Sequence, residues 1–358
     1  MKALVQATVA ILVACGIMFI TINALESGGS AGNKDTITVY NWGEYIDPDL
    51  IKQFTEETGI KVIYETFDSN EAMMTKISQG GSAYDIAVPS EYAIEMMLED
   101  DLLVELDHSK LPNLSNIDPY FLDLPFDPGN KYSIPYFWGT VGVVFNPNEI
   151  ADHLTFESWE DLWDPSLKEK VFLVDGSREV IGMGLNSLGE SLNAKDDDLL
   201  RQATDKLIEL GPNVKAIIGD EITPLMVNNE ATVALTWSGQ AADMMWENED
   251  LDFAVPHEGS NLWFDNMVIP KTAANIEGAH AFINFMLDAE VAALNADYVG
   301  YSTPNMAAWE LMDEEVVTDE RFYPGEEVRE HLEVYENLGL HWLGKYNEHF
   351  LQFKMSIK

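Results

Sequence analysis

Between Thr36 and Asp100 the chain alternates between strand-like and helix-like periodicity, and this restricts it to a mainly parallel α/β sheet. Thr36–Asn41 alternates and is rich in β-formers, which predicts a strand. Asp47-Pro48 pairs an N-cap residue with proline at the first helical position. Leu50, Ile51 and Phe54 then share one helical face, and Gly59 supplies a stop. Ile60–Phe67 predicts a second strand, and Asn70–Ser78 a short helix ended by Gly80-Gly81. Tyr84–Pro89 is a short apolar run suited to a buried parallel strand, and Glu91–Asp100 reads as helix. Successive parallel strands need crossovers, which place helices on both faces of the sheet.

A second series begins after the Pro-rich stretch Asp118–Ile134. Strands are predicted at Lys170–Asp175, Asn213–Ile218, Ala231–Trp237 and Leu262–Ile269. Helices are predicted at Arg178–Leu188, Leu199–Leu210, from Trp237 to Asn248 and at Ala274–Leu287. Two α/β units therefore meet near Tyr136–Asn146 and again near Pro256–Ile269. Units joined by more than one strand-like segment form a clamshell with a cleft. Ligands of open α/β sheets sit at the carboxyl ends of strands, so the strand-end residues are the place to search.

Charge removes several functions. The 358 residues hold 20 Lys+Arg against 62 Asp+Glu, a formal net charge of −42, so the chain is short of cations. Phosphate neutralisation needs basic residues, which excludes nucleic acid as a partner. A polybasic contact with anionic lipid fails for the same reason. Hydrophobic residues make up 46% of the chain, enough to build a large core and exclude disorder. The acidity has two compatible readings: solubility in salty surroundings, or a field that gathers a cationic ligand. Between Lys215 and Arg321 only Lys271 is positive.

The amino terminus indicates the compartment. Lys2 precedes Ala3–Leu25, an apolar run without acid or base that is long enough, as a helix, to cross a bilayer core. Residues 1–34 therefore read as a membrane anchor or signal segment plus a Ser/Gly-rich tether. The positive-inside bias leaves the acidic body outside the cell. The chain has one cysteine, Cys15, in Leu12-Val13-Ala14-Cys15-Gly16. That segment resembles a lipobox, so Cys15 is a candidate lipidation site. An uncleaved helix and simple cleavage are the alternatives. With no cysteine in the body, disulfides and thiol catalysis are excluded there.

Enzyme motifs fail on context. Gly28-Gly29-Ser30-Ala31-Gly32 matches G-x-S-x-G, but it lies in the tether with no strand before it. Gly339–Tyr346 nearly matches a P-loop, but Tyr346 replaces the Mg²⁺-binding hydroxyl residue. The His residues form no H-x-x-x-H pair, and Asp196-Asp197-Asp198 reads as a solvated helix start rather than a calcium loop. No catalytic residue, metal site or cofactor is expected.

The strand ends carry another chemistry. In extended chain, residues i and i+2 point to one side, so Trp42-Gly43-Glu44 and Trp263-Phe264-Asp265 each place an indole beside a carboxylate. Ser90-Glu91-Tyr92 places a hydroxyl beside a phenol. Trp237 ends another strand, Asp175-Gly176-Ser177-Arg178-Glu179 follows one, and Tyr301 lies in Gly300–Pro304. Any one of these residues could serve packing alone. Indoles, phenols and carboxylates together suit an organic ammonium, which takes charge-assisted hydrogen bonds and cation–π contact.

The residues Val39–Ile46, Phe67–Glu71, Tyr84–Ser90, Phe126–Tyr136 and Gly300–Asn305 resemble the spermidine/putrescine-binding proteins of bacterial polyamine ABC importers. The resemblance runs from Thr36 to Lys358. It implies a type II periplasmic-binding-protein fold, with two α/β lobes joined by crossover strands around a ligand cleft. It also implies an extracytoplasmic solute-binding protein, tethered to the outer face of the membrane. Such a protein would be a monomer, would capture spermidine or putrescine and would pass it to a permease without chemical turnover. Lobe 1 would comprise residues 35–140 and 261–310, and lobe 2 residues 141–260 and 311–358. Carried over by motif, the aromatic box would be Trp42, Tyr92, Trp237, Trp263 and Tyr301. The amine-binding acids would be Glu44, Glu179 and Asp265, with Ser90 lining the cleft. Two positions depart from the pattern: Gly176 stands where family members carry a ligand-binding Asp, and Gly43 where they carry a polar residue. Tyr335 falls near a family Gln at one ligand end, in a poorly aligned stretch. These departures leave open the choice between spermidine and putrescine. The alternatives to this reading are a binder of another small solute, such as a different amine or an amino-acid-like cation, a polyamine sensor and a surface hydrolase.

Overall fold

The computed structural model describes residues 35–219 and 221–357. Ala3–Leu25, Cys15 and the Gly28–Gly32 motif lie outside these residues. Among the described residues, no helix is long and apolar enough to cross a membrane.

The first series follows the periodicity of the sequence. Strand β1 (Thr36–Trp42) is followed by α1 (Pro48–Thr58), β2 (Lys61–Phe67), α2 (Asn70–Ser78), β3 (Ile86–Ala87) and α3 (Glu91–Glu99). Both β2 and β3 pair parallel with β1. The Asp47 carboxylate caps α1 at Asp49 N, and Gly59 closes it in the left-handed region at φ 75°. Leu50 and Phe54 are the face of α1 that is buried. The third strand is shorter than Tyr84–Pro89. The Asp85 carboxylate accepts from Thr38 N (2.7 Å), taking a place that a ladder carbonyl would otherwise fill. Asp85 also accepts from Ala274 N and Asn275 N, tying the strand to the start of a later helix.

Two long strands join the halves. Strand β4 (Ser133–Phe145) is buried along its whole length. The second series then gives β5 (Val171–Val174), α4 (Ser177–Asn186), α5 (Asp197–Leu210), β6 (Val214–Ile218), α6 (Ile222–Val227), β7 (Val233–Trp237), α7 (Ser238–Glu247) and β8 (Asp252–Ala254). Strand β9 (Ser260–Val268) returns antiparallel along β4, with Gly139 opposite Trp263 and Phe137 opposite Asp265. Helices α8 (Ile276–Met286) and α9 (Ala289–Val299), short helical turns at Met306–Trp309, Glu314–Val317 and Glu326–Arg329, strand β10 (Leu332–Glu333) and helix α10 (Gly339–Ser356) follow. The strand order is β2-β1-β3-β9-β4-β7-β5-β6, with β10 beside β9 and β8 beside β4.

Two separate apolar cores give the molecule its two-lobed form. One gathers Ile37, Phe54, Tyr84, Phe264 and Ile283, and includes Ile134 and Tyr136–Trp138 from β4. The other gathers Phe172, Leu207, Leu235, Tyr346 and Phe353, and includes Val141 and Val143–Phe145 from β4. One strand thus leaves one core and enters the other at Gly139-Thr140.

The near-P-loop sequence opens α10, and Tyr346 is a core residue there. Its hydroxyl lies 2.9 Å from Leu192 O and 3.0 Å from Ala194 O. Asp196 caps α5 by accepting from Asp198 N and Leu199 N.

Candidate functional site

The ends of β1 and β7, the middle of β9 and the starts of α3 and α4 converge on a cavity of about 520 Å³. Trp42, Ser90, Tyr92, Glu179, Trp237, Trp263, Asp265 and Tyr301 all line it. Glu44 does not. The extended geometry that would align it with Trp42 ends first, because Glu44 adopts φ 51°, and its side chain is exposed. Ser90 and Tyr92 do meet, but by another route than the expected strand. Ser90 is the N-cap of α3, and Asn70 Nδ2 donates to both Ser90 Oγ (3.1 Å) and Tyr92 OH (3.0 Å).

Close packing sets the aromatic walls. A Cβ on Gly139 would collide with the Trp263 indole, so only glycine lets that ring lie on β4. A Cβ on Gly239 would likewise collide with the Tyr301 ring. Tyr301 stands edge-on to Trp263 at 5.6 Å and to Tyr45 at 5.2 Å. Trp42 rests against Phe67 at 4.5 Å. Its indole Nε1 is buried and has no partner.

The carboxylates differ in their support. Asp265 is 7% exposed and accepts from Tyr45 OH and Ser90 Oγ, both at 2.7 Å. Burial nevertheless pushes its carboxyl up to about 6, because these two bonds only partly replace lost hydration. Glu179 sits in the first turn of α4, where the helix dipole favours a negative charge. Burial still raises its pKa, partly opposed by hydrogen bonding to its own backbone N–H, by Arg178 and by Tyr335. A Cβ on Gly176 would collide with the Glu179 carboxylate. The missing side chain at 176 is therefore the space in which Glu179 sits. The Arg178 guanidinium lies over Tyr335, 4.2 Å from the ring centre, and donates to Asn193 Oδ1 (2.7 Å).

The cavity also contains residues that the sequence did not single out: Tyr45, Asp68, Asn70, Glu91 and Asn261. Tyr45 returns to the cavity because the backbone turns at Glu44. Glu91 lines it because Ser90 is where strand becomes helix. Among the described residues, no Lys, Arg or His lines the cavity. Aromatic faces beside carboxylates can hold a flexible organic cation by cation–π contact and charge-assisted hydrogen bonds.

Comparison with known proteins gives concordant matches. Residues 49–322 match a family described as bacterial extracellular solute-binding protein. The spermidine/putrescine-binding periplasmic protein of Salmonella typhimurium is 42% identical over 299 residues, covering 83% of this chain and 86% of the relative. The putrescine-binding periplasmic protein PotF of Escherichia coli is 34% identical over 332 residues, covering 88% and 90%. Among solved structures, the spermidine/putrescine ABC transporter substrate-binding protein PotD of Streptococcus pneumoniae superposes with a TM-score of 0.86. It is 57% identical, covering 90% of this chain and all of that one.

Proposed function

Because this chain belongs to the bacterial extracellular solute-binding protein family, we propose that it captures a polyamine outside the cell and delivers it to the permease of an ABC importer. The observation that carries this reading is the cavity lining of indoles, phenols and carboxylates, with no basic side chain among the described residues that form it. An alkyl chain with several ammonium groups matches both parts. Its methylenes and charges lie against aromatic faces, at about 0.5–2 kcal/mol per good cation–π contact. Its N–H groups donate to carboxylates.

In this reading Trp42, Tyr92, Trp237, Trp263 and Tyr301 hold the chain of the ligand, while Asp265 and Glu179 neutralise amines and Ser90 orients Asp265. Glu44, exposed beyond the lining, contributes to the field at the entrance rather than to a direct contact. The lobes, taken as residues 35–140 with 261–310 and 141–260 with 311–358, close over the ligand. The closed form then docks on the permease. The protein makes and breaks no bond, acts as a monomer and is held at the outer membrane face through residues 1–34.

Calorimetry of the purified full chain with putrescine, spermidine and spermine tests the ligand class. At least one of them binds and raises the melting temperature by mass action. Asp265→Asn weakens that binding by about 1.5–3 kcal/mol, the scale of a charged hydrogen bond. An absence of heat and of thermal shift with all three amines overturns the proposal.

A further inference from the structure

Glu91 has a feature that neither packing nor the contacts assigned above use. Its carboxyl is fully buried and lines the cavity. One oxygen, Oε2, accepts from Phe264 N at 2.9 Å. The other, Oε1, is buried without any partner. Phe264 lies between Trp263 and Asp265, so Glu91 is anchored to the middle of the strand segment that carries both. Asn261 Oδ1, on the same strand and in the same cavity, also lacks a partner, while its Nδ2 donates to Glu333 O. A buried acceptor left unpaired in a cavity marks a place for a donor from outside the chain. An ammonium group offers three N–H donors and no acceptor.

We propose that Glu91 is a further amine contact in the cleft, where Oε1 accepts a hydrogen bond from a ligand ammonium group and the carboxyl gives up its proton to solvent as the ligand enters. The inference rests on the polyamine reading above. The balance is simple: a Glu91 carboxylic acid and an alkylammonium become a carboxylate–ammonium pair plus one solvent proton. Only the O–H bond breaks, and nothing is oxidised or reduced.

The surroundings of Glu91 support this proton change. Burial pushes its carboxyl up to about 8, so the empty cleft holds it mainly as the acid at neutral pH. The Phe264 N–H and the backbone at Glu91 oppose that rise, Asp265 on β9 adds to it, and Arg178 on α4 opposes it. Tyr92 on α3 and Tyr335 between β10 and α10 also face Glu91, and Glu179 faces both tyrosines. Arg178 is the one basic group among these neighbours, and it is engaged with Asn193 and Tyr335. An arriving ammonium supplies the missing positive charge next to the carboxyl and favours its ionised form.

The test is calorimetry of the full chain with putrescine and with spermidine at pH 7, repeated in phosphate and in MOPS. These buffers differ in ionisation enthalpy, so the difference in heat counts protons. The parent protein releases a fraction of a proton per ligand that Glu91→Gln does not release. The substitution also lowers affinity about tenfold, on the scale of one charged hydrogen bond, with a greater loss at pH 8 than at pH 6. An equal proton count and affinity in E91Q overturns the Glu91 assignment and leaves the polyamine reading standing. Absence of amine binding by the parent protein overturns both. If E91Q does not fold, difference infrared spectroscopy of the parent protein decides. A buried carboxylic-acid band that disappears on adding putrescine supports the proposal, and an unchanged band overturns it.

Discussion

At the scale of single residues, the cleft is shaped as much by absent side chains as by present ones. Gly176 is the clearest case. Its backbone lies at φ −126° and ψ 122°, which alanine adopts without strain. Its hydrogen nevertheless faces the Glu179 carboxylate at a distance that a methyl group cannot share. Gly176→Ala therefore leaves the backbone intact and forces Glu179 to turn. The expected result is roughly a tenfold loss of amine affinity, about 1.4 kcal/mol, with the melting temperature of the empty protein almost unchanged. Unaltered affinity by calorimetry would show that Glu179 binds equally well from another rotamer, or not at all. Any larger side chain at position 176 would compete with the Glu179 carboxylate for the same volume. Glu44 and Glu91 mark what the sequence could not convey at this scale. Glu44 looked like a partner of Trp42 because alternation was assumed to continue, yet a single left-handed residue turned it to solvent. Glu91 opens the helix that its sequence predicts, and the side it presents to the cavity is set by how α3 packs against β9.

At the scale of elements, the strands β4 and β9 carry the site, and their close approach depends on Gly139. Gly139→Ala places a methyl group within the Trp263 ring and against Ser238 Oγ. Overpacking of this kind costs about 1–3 kcal/mol, so the melting temperature falls and Trp263 is displaced from the cavity wall. Loss of amine affinity should accompany the loss of stability. Gly81→Ala is the control, since a Cβ there meets nothing within 4 Å. A G139A protein as stable and as tight-binding as the parent would refute this account of the crossing. The elements of the first series were legible because their signals are local: Asp47-Pro48 and Gly59 bracket α1, and Asn70–Ser78 is helical over the predicted span. The third strand was less legible, because Asp85 replaces ladder bonds with side-chain bonds to distant segments. Helix α10 was missed because two glycines and its run of aromatic and basic residues obscure its period. Its burial is set by Tyr346, Phe350 and Phe353 packing against the second core, a tertiary fact. Trp237 ends β7 as its strand-end position predicts, whereas Trp263 lies in the middle of β9 and Tyr301 just after the Gly300 cap of α9, and the glycines beneath these two rings acquire meaning only in the folded molecule.

At the scale of the whole molecule, the net charge of −42 makes solution conditions part of the function. A field of that sign speeds the encounter with cations, and salt screens it over a Debye length of about 8 Å at physiological ionic strength. Stopped-flow association of a polyamine should therefore slow steeply with added NaCl. A flat dependence would assign the acidity to solubility alone. The cleft adds a pH dependence whose sign is fixed by burial. Folding raises Asp265 from 3.8 to about 6 and Glu91 from 4.5 to about 8. Across that window the folded chain holds more protons than the unfolded chain, so unfolding stability falls as pH rises. The contribution is fully present below the ordinary carboxylate range. It is lost first as Asp265 ionises through about 6 and then as Glu91 ionises through about 8. Repulsion among surface acids acts in the same direction, but 0.5 M NaCl screens it and scarcely reaches the buried pair. In that salt the melting temperature of the empty protein should decline between pH 5 and pH 8.5. Asp265→Asn should flatten the lower part of the decline, and Glu91→Gln the upper part. A saturating polyamine should flatten both, because the ligand cations neutralise the carboxylates whose burial costs stability. A melting temperature that rises through this window, or a decline that neither substitution alters, would show that these two carboxyls are ionised in the empty cleft. The cleft would then be held ready for cations by charge already present, rather than acquiring that charge as the ligand arrives.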